Sequence, residues 1–413
     1  WSPGEELVEA GLLASSREDA VGRPHLYEFR RHAIQTTIEV EILDREGYPI
    51  SGALVRLIGK TSERAEQVAS TDSQGRAKLS ASPAVEYVML ASASDYLNQY
   101  GFTEVNVPVL EHTTGGADAN PFVTHMDALD GQQFYLRISH ELPLKRLLGA
   151  GFEKVYDIGP RFRNENYSDE HLPEHIAMEW YAAYWDWQRG MRFMEDMYKY
   201  VLERTFGTLQ FTLGEFEVDM SGQWQVWDYA EVIHKHYGID VYNTTIDEVA
   251  ATLKEHGLEV EKTDSIPRGI DKLWKNIRKT VAGPVWLVNT PKFISPLSKT
   301  NPDNPQTVER FQPVIAGSEL GNGFSELNDP IDQLNRFVEQ QQMRDAGDEE
   351  AMMLDIDYVE MLEYGMPPAC GWGFSERVFW IFEGVTAREG VPFPQLKSDI
   401  DETTRAVYPD IQL

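Results

Sequence analysis

The segment between Arg161 and Tyr181 limits what this chain can fold into more than any other. It reads Arg161-Phe-Arg163-Asn-Glu165, and then His171-Leu-Pro-Glu-His175-Ile-Ala-Met-Glu179-Trp-Tyr181. Guanidinium, imidazole and carboxylate groups alternate there with apolar residues. A guanidinium reads phosphate or carboxylate through two parallel hydrogen bonds, and a glutamate accepts from an ammonium or an exocyclic amine. The segment therefore fits a wall that binds a phosphate chain and a small zwitterion together, and the fold must bring further parts of that site to it.

A chain of 413 residues points to about two or three domains, one of them with a sizeable core. With 42% hydrophobic, 25% charged and 11% aromatic residues, the composition is that of a globular enzyme rather than a disordered chain. The formal net charge of -30 repels nucleic acid unless a local basic groove overrides it. It is equally an adaptation to high salt, so charge alone does not select a function. A lone cysteine, Cys370, excludes an internal disulfide framework and permits a reducing compartment, so a cytoplasmic location is expected. No apolar run approaches the roughly 18 residues of a membrane span, and no membrane partner is expected. Trp1 is not a start residue, and no basic-then-apolar targeting pattern follows it.

Three regions follow from patterning. Residues 1–35 read as a polar leader and a helix, with Leu26, Phe29 and Ile34 on one side. Residues 36–83 read as a small β module. Ile38, Val40 and Ile42 alternate with Glu39 and Glu41, and Gly47-Tyr-Pro49 and Asp72-Ser-Gln-Gly75 are turns between short strands at 53–58, 67–70 and 77–80. Residues 84–413 mix strands and helices. Val85–Leu90 fits a last strand or the start of a helix; the helix reading covers at least Ala91–Gln99 and stops at Gly101. Gly101–Pro108 is extended, Phe134–Ile138, Lys154–Ile158 and Pro284–Asn289 are strands, and Met191–Phe206 is an amphipathic helix. Asp329-Pro330 is an N-cap with proline at N1, and Gly347 closes that helix. Gly365 ends the next one.

Three further segments carry chemistry. Gly115-Gly116-Ala-Asp-Ala-Asn is a loop whose glycines allow close approach to the backbone. Glu319–Asp329 reads as a strand of period two, which puts Asn322, Phe324 and Glu326 on one face. An amide, an aromatic wall and a carboxylate on one face suit an amino acid with a cationic side chain. Gly371-Trp-Gly373-Phe-Ser-Glu-Arg377 reads as a glycine turn opening a helix, with an arginine able to hold a terminal phosphate. A competing pattern lies within the first segment. His171-x-x-Glu-His175 has the spacing of inverted zinc peptidases, which need both histidines one turn apart on one helical face. Pro173 disfavours a helix there, and that reading is rejected.

Taken together, residues 84–400 resemble the class II lysyl-tRNA synthetases. Gly101–Pro108 resembles motif 1, Arg163–Tyr181 motif 2 and Gly371–Arg377 motif 3, while Ile294–Lys299 and Asn322–Pro330 are similar to the lysine-specific subgroup. The implied fold is α+β, a six- or seven-stranded antiparallel sheet flanked by helices, in a homodimer. The implied activity joins lysine to ATP as lysyl-adenylate and transfers it to tRNA, with Mg²⁺. By position the resemblance gives Arg163 the substrate carboxylate and α-phosphate, Glu165 the adenine end, His171 the phosphate tail, Arg377 the γ-phosphate and Glu319 the Mg²⁺. It gives Glu141, Tyr181 and Glu326 the lysine ε-ammonium, Gly115 and Glu179 the α-ammonium, Asn322 the carboxylate, and Phe324 the side-chain slot.

The chain departs from that pattern in places. His175 stands where the adenine-stacking residue is usually Phe, and Gln312 where a second metal carboxylate is usual. Residues 1–83 are too short for the family's anticodon-reading barrel. Gly47–Val55 and Thr71–Ala77 instead resemble a transthyretin-like β-sandwich. Two alternatives to a tRNA ligase follow: a lysine-type ligase acting on a protein, as the elongation factor P lysine ligases do, or a regulatory protein that binds without turnover.

Overall fold

The computed structural model describes residues 7–15, 25–32, 37–41, 49, 54–57, 67–74, 76–80, 85–165, 168, 171–260, 265–348, 350–391 and 394–395. They fall into two compact units, Trp1–Ser92 and Ala93–Leu413.

The first unit is β-rich. Its strands are β1 (Leu7–Ser15), β2 (His25–His32), β3 (Thr37–Glu41), β4 (Leu54–Leu57), β5 (Gln67–Ser70) and β6 (Arg76–Ser80). One sheet has the order β1-β2-β3-β6, and β4 pairs with β5 separately. Among the described residues the stretch expected to be helical before residue 36 is strand. Residues 25–32 form β2, with Tyr27 opposite Leu13 and Phe29 opposite Val40. Tyr and Phe favour strands, and ladder partners distant in sequence override a local helical pattern. The turn at Asp72 is built by its side chain, whose Oδ1 accepts from the backbone N–H of Gln74 (2.8 Å) and of Arg76 (3.0 Å). Ile42 and the turn residues Gly47 and Tyr48 lie outside the described residues.

Helix α1 (Val85–Gln99) follows, so the ambiguous segment at 85–90 is helical. The larger unit contains β7 (Thr103–Glu104), β8 (Leu110–Glu111), β9 (Val123–Met126), β10 (Gln132–Leu136), α2 (Glu141–Gly149), β11 (Lys154–Phe162), β12 (Glu174–Ala183) and α3 (Trp187–Phe206). Next come β13 (Gln210–Leu213), β14 (Phe216–Asp219), β15 (Gln225–Asp228), α4 (Tyr229–Tyr237), α5 (Ile246–Glu255), α6 (Ile266–Arg278) and β16 (Val285–Val288). The chain continues with β17 (Arg310–Ile315), β18 (Ser318–Glu319), β19 (Asn322–Ser325), α7 (Pro330–Asp345), α8 (Ile356–Tyr364), β20 (Ala369–Ser375) and α9 (Arg377–Glu383).

The main sheet has nine strands in the order β15-β16-β17-β19-β20-β12-β11-β7, with β18 paired to β17. From β16 to β11 every neighbour is antiparallel; the outer strands β7 and β15 join in parallel. Helices α2, α7 and α8 pack Leu144, Leu148, Phe337, Tyr358 and Leu362 into one core, and α4, α5 and α6 pack Ile233, Leu253, Leu273 and Trp274 into another. Helix α7 starts as its sequence predicts: Asp329 Oδ1 accepts from the N–H groups of Ile331 and Asp332, with Pro330 at N1.

Three local expectations need correction. Of Gly101–Pro108 only Thr103–Glu104 is a strand. The 319–329 segment is two short strands broken at Gly321, where φ is +155° and a Cβ would lie 2.2 Å from the Trp372 ring. Gly371 and Gly373 are in mid-strand β20, not in a turn; the space above them, rather than their φ, requires glycine.

Candidate active site

Strands β19, β20, β12 and β11 bring the chemical segments together. The registers place Asn322, Gly373 and Glu179 in one row across the sheet, and Phe324, Gly371 and Tyr181 in the next. Opposed residues on antiparallel strands project to the same face, and positions two apart share it. The glycines clear that face. A Cβ at Gly371 would sit 2.2 Å from Tyr181 Cε1 and 2.4 Å from Glu326 Oε1; at Gly373 it would sit 3.1 Å from Glu179 Cγ.

A cavity of about 690 Å³ stands over this face. Arg163, Glu165, His171, His175, Arg377 and Glu319 line it, and so do Glu141, Glu179, Tyr181, Asn322 and Phe324. Gly115 and Glu326 do not. Gly115 packs against α2, where a Cβ would meet Leu142 Cδ1 at 2.7 Å; the adjacent Gly116, at φ +89°, faces the cavity instead. The segment with zinc-peptidase spacing is irregular around His171 and becomes strand at Glu174, so its two histidines share no helical face.

Glu179 is tightly held. Its Oε1 accepts from Ser139 Oγ (2.8 Å), the His140 backbone N–H (3.0 Å) and Arg161 Nη1 (3.3 Å), and its Oε2 from the Tyr181 hydroxyl (3.0 Å). Burial works against ionisation, but the His140 and Arg161 contacts outweigh it and hold the carboxyl well below the usual range. The site thus keeps a fixed negative charge. Burial, reinforced by Arg163, pushes the Arg161 guanidinium down to about 10, which leaves it charged at neutral pH. Burial, then Arg161 and Arg163, push the His175 imidazole well below its ordinary value, so it presents a neutral ring to the cavity.

The expected ammonium slot already holds an ammonium. Lys145, one turn after Glu141 on α2, makes ion pairs with both Glu141 and Glu326 and is fully buried with them. Its Nζ lies 5.3 Å from the Phe324 ring centroid and 5.9 Å from that of Tyr181. Glu326, with its Oε1 over Gly371, is taken up by the pairing with Lys145 and does not line the cavity. Lys145 takes up Glu326 Oε2, and Oε1 has no hydrogen-bond partner among the described residues, so acceptor capacity remains there. Burial raises the Glu141 carboxyl to about 7 against the pull of Lys145.

Several cavity residues were not anticipated. Arg310 Nε donates to Asn322 Oδ1 at 2.7 Å and its Nη1 to Ser295 Oγ at 2.8 Å, fixing the amide that the resemblance assigns to a carboxylate. Trp274, behind the cavity wall, donates its Nε1–H to Glu319 Oε1 at 2.6 Å, and Gln312, singled out above for its place near the metal, lies in the same wall as Glu319. Lys275 and Arg278 enter from α6. The Glu141-to-Lys145 spacing was a readable signal for an i,i+4 pair. Nothing local separates Lys275 and Arg278 from an ordinary solvated helix face.

An antiparallel sheet with guanidiniums at the strand ends and carboxylates over its glycine-cleared floor defines a class II aminoacyl-tRNA synthetase core. The sequence profile of the class II tRNA synthetases (D, K and N) matches residues 71–397, and the chain belongs to that family. It is 41% identical over 341 residues to the lysine–tRNA ligase of Thermosipho melanesiensis, covering 82% of this chain and 66% of that protein. The lysine–tRNA ligase of Thermotoga maritima is 42% identical over 316 residues, 76% of this chain and 62% of its own length. That of Aquifex aeolicus is 39% identical over 318 residues, 75% of this chain and 53% of its own length. The chain spans less than two thirds of the length of these relatives.

Proposed function

We propose that this protein activates lysine with ATP, forming lysyl-adenylate and pyrophosphate, and transfers the lysyl group to tRNA. What carries the reading is one juxtaposition: Arg163 and Glu179 from one segment, Arg377 from a second, and Asn322 and Phe324 from a third line one cavity. A lysine carboxylate oxygen attacks the α-phosphorus while pyrophosphate leaves. No protein nucleophile is required; the residues position reactants and neutralise charge. Arg163 spans the substrate carboxylate and α-phosphate, Arg377 takes the terminal phosphate, and the neutral His175 ring stacks on the adenine that Glu165 recognises, with His171 on the phosphate tail. Glu179 receives the α-ammonium beside the Gly115-Gly116 loop, and Asn322 the carboxylate. Phe324 and Tyr181 flank the side chain as it approaches Glu141 and Glu326, two carboxyls that it shares with Lys145.

Mg²⁺ fits as a companion of ATP. Glu319 offers a carboxylate and Gln312 an amide oxygen in the same wall, and among the described residues no cluster of three His, Cys, Asp or Glu side chains is preformed for a metal. Such a donor set suits an ion that brings phosphate oxygens with it. A homodimer is the proposed assembly.

Amino-acid-dependent ATP–pyrophosphate exchange tests the reading. Exchange with lysine is expected; none with lysine or its close analogues would overturn it. The formal charge of -30 favours a second reading, transfer to a protein acceptor. Labelled lysine recovered on protein rather than on tRNA would decide for it. Glu326→Gln removes one buried carboxyl beside the ammonium slot, where it pairs with Lys145. It should raise the lysine KM by about tenfold or more while the ATP KM changes by less than about twofold. Equal changes in both would mean that the slot is wrongly assigned.

A further inference from the structure

The turn Gly317-Ser318-Glu319 is a meeting point that the roles above do not explain. Arg278 Nη1 donates to the Gly317 carbonyl, Arg377 Nη2 lies 3.4 Å from Ser318 Oγ, and Trp274 Nε1 donates to Glu319 Oε1. Two of the three come from α6. That helix buries Ile270, Leu273, Trp274 and Ile277, which leaves Lys275 and Arg278 on the side that lines the cavity. Residues three apart are neighbours on a helix. Arg278 and Arg377 therefore flank one turn, from opposite directions in the sequence. Arg278 Nε is buried and has no hydrogen-bond partner among the described residues. Lys275 is paired with Asp271 at 2.7 Å at the exposed rim, a contact weak enough for the ammonium to leave for a stronger anion.

We infer that Lys275 and Arg278 form, with Arg377, a subsite for the two terminal phosphates of ATP and for the pyrophosphate that leaves. This rests on the adenylate-forming reading. As the lysine carboxylate oxygen bonds to the α-phosphorus, the bond from that phosphorus to the α–β bridging oxygen breaks. Its electron pair departs with pyrophosphate, so negative charge grows on the side of the cavity where α6 stands. Guanidinium and ammonium groups fixed there favour the transition state and hold the product until it exits. Trp274 belongs to the same device as a positioning residue, because its indole orients the Glu319 carboxylate beside the phosphates.

Titration of the full chain with ATP and, separately, with AMP tests the subsite. Lys275→Ala/Arg278→Gln should weaken ATP by about tenfold or more and AMP by less than about twofold, since AMP lacks the phosphates in question. In the exchange assay the pyrophosphate KM should rise by a similar factor with the lysine KM unmoved, and Arg278→Lys should recover part of the loss. Lys275→Ala alone changes only a rim residue and keeps the test open if the double variant folds poorly. It too should separate ATP from AMP. Equal losses for ATP and AMP, or an unchanged pyrophosphate KM, would overturn the assignment. The nucleotide comparison needs no amino acid, so it reads the subsite even if lysine is not the substrate. Absent lysine exchange in the unaltered chain counts against the proposed function instead.

Discussion

Arg163→Met should lower lysine-dependent ATP–pyrophosphate exchange by about a thousandfold, with the thermal midpoint of the protein nearly unchanged. Arg163 stands just past the end of β11. Its backbone N–H is tied to the Pro173 carbonyl at 2.8 Å, so the residue is placed by the main chain and not by its guanidinium. Its Nε is buried and has no hydrogen-bond partner among the described residues. The substitution therefore removes charge from the cavity and leaves the backbone tie intact. Met fills similar volume and cannot neutralise a pentavalent α-phosphate. Methionine at this position should hurt the rate constant more than nucleotide binding, because the lost contact strengthens as charge develops. A loss of less than about tenfold would place the α-phosphate elsewhere.

Lys145→Met should destabilise the fold by about 3–5 kcal/mol near neutral pH, since it strips the shared cation from two buried carboxylates. The effect has a definite pH sign. Without the ammonium, burial alone acts on Glu141 and Glu326 and raises both folded-state values above the unfolded ones. A carboxyl shifted upward folds at no electrostatic cost while protonated, and loses stability as pH rises through its folded-state value. The variant should thus be closest to the parent in mildly acidic solution and fall further behind as pH increases. Urea midpoints at about pH 6 and about pH 8 check this, and an equal deficit at both would show that the carboxylates do not depend on Lys145.

The site was legible in the sequence to the extent that its chemistry follows from residue type and short spacing. Arg163, Glu165, Glu179 and Tyr181 sit on one strand pair and its connecting segment, so period two fixed which of them share a face. Asn322 and Phe324 were readable for the same reason. Glu326 shares that face too, with its Oε1 over Gly371, but its pairing with Lys145 was not readable, because Lys145 comes from α2. Gly371 and Gly373 looked like a turn because glycine usually marks one; what they accommodate is Tyr181, Glu326 and Glu179, which come from elsewhere in the chain. The strand at 25–32 was hidden in the same way, since its ladder partners are β1 and β3.

Local sequence specified the inventory: guanidiniums and carboxylates at short spacing, an antiparallel α+β core, and the helix caps at Asp329 and Gly347. Those depend on local backbone preferences and side-chain chemistry. Only the tertiary structure decided which of these groups share a cavity. Lys145 sits between Glu141 and Glu326 because α2 packs on β11 and β12 and brings it against Phe324, and Lys275 and Arg278 face the cavity because α6 buries its opposite face. Charge pairing across such distances depends on how helices pack against a sheet, and no local pattern records it.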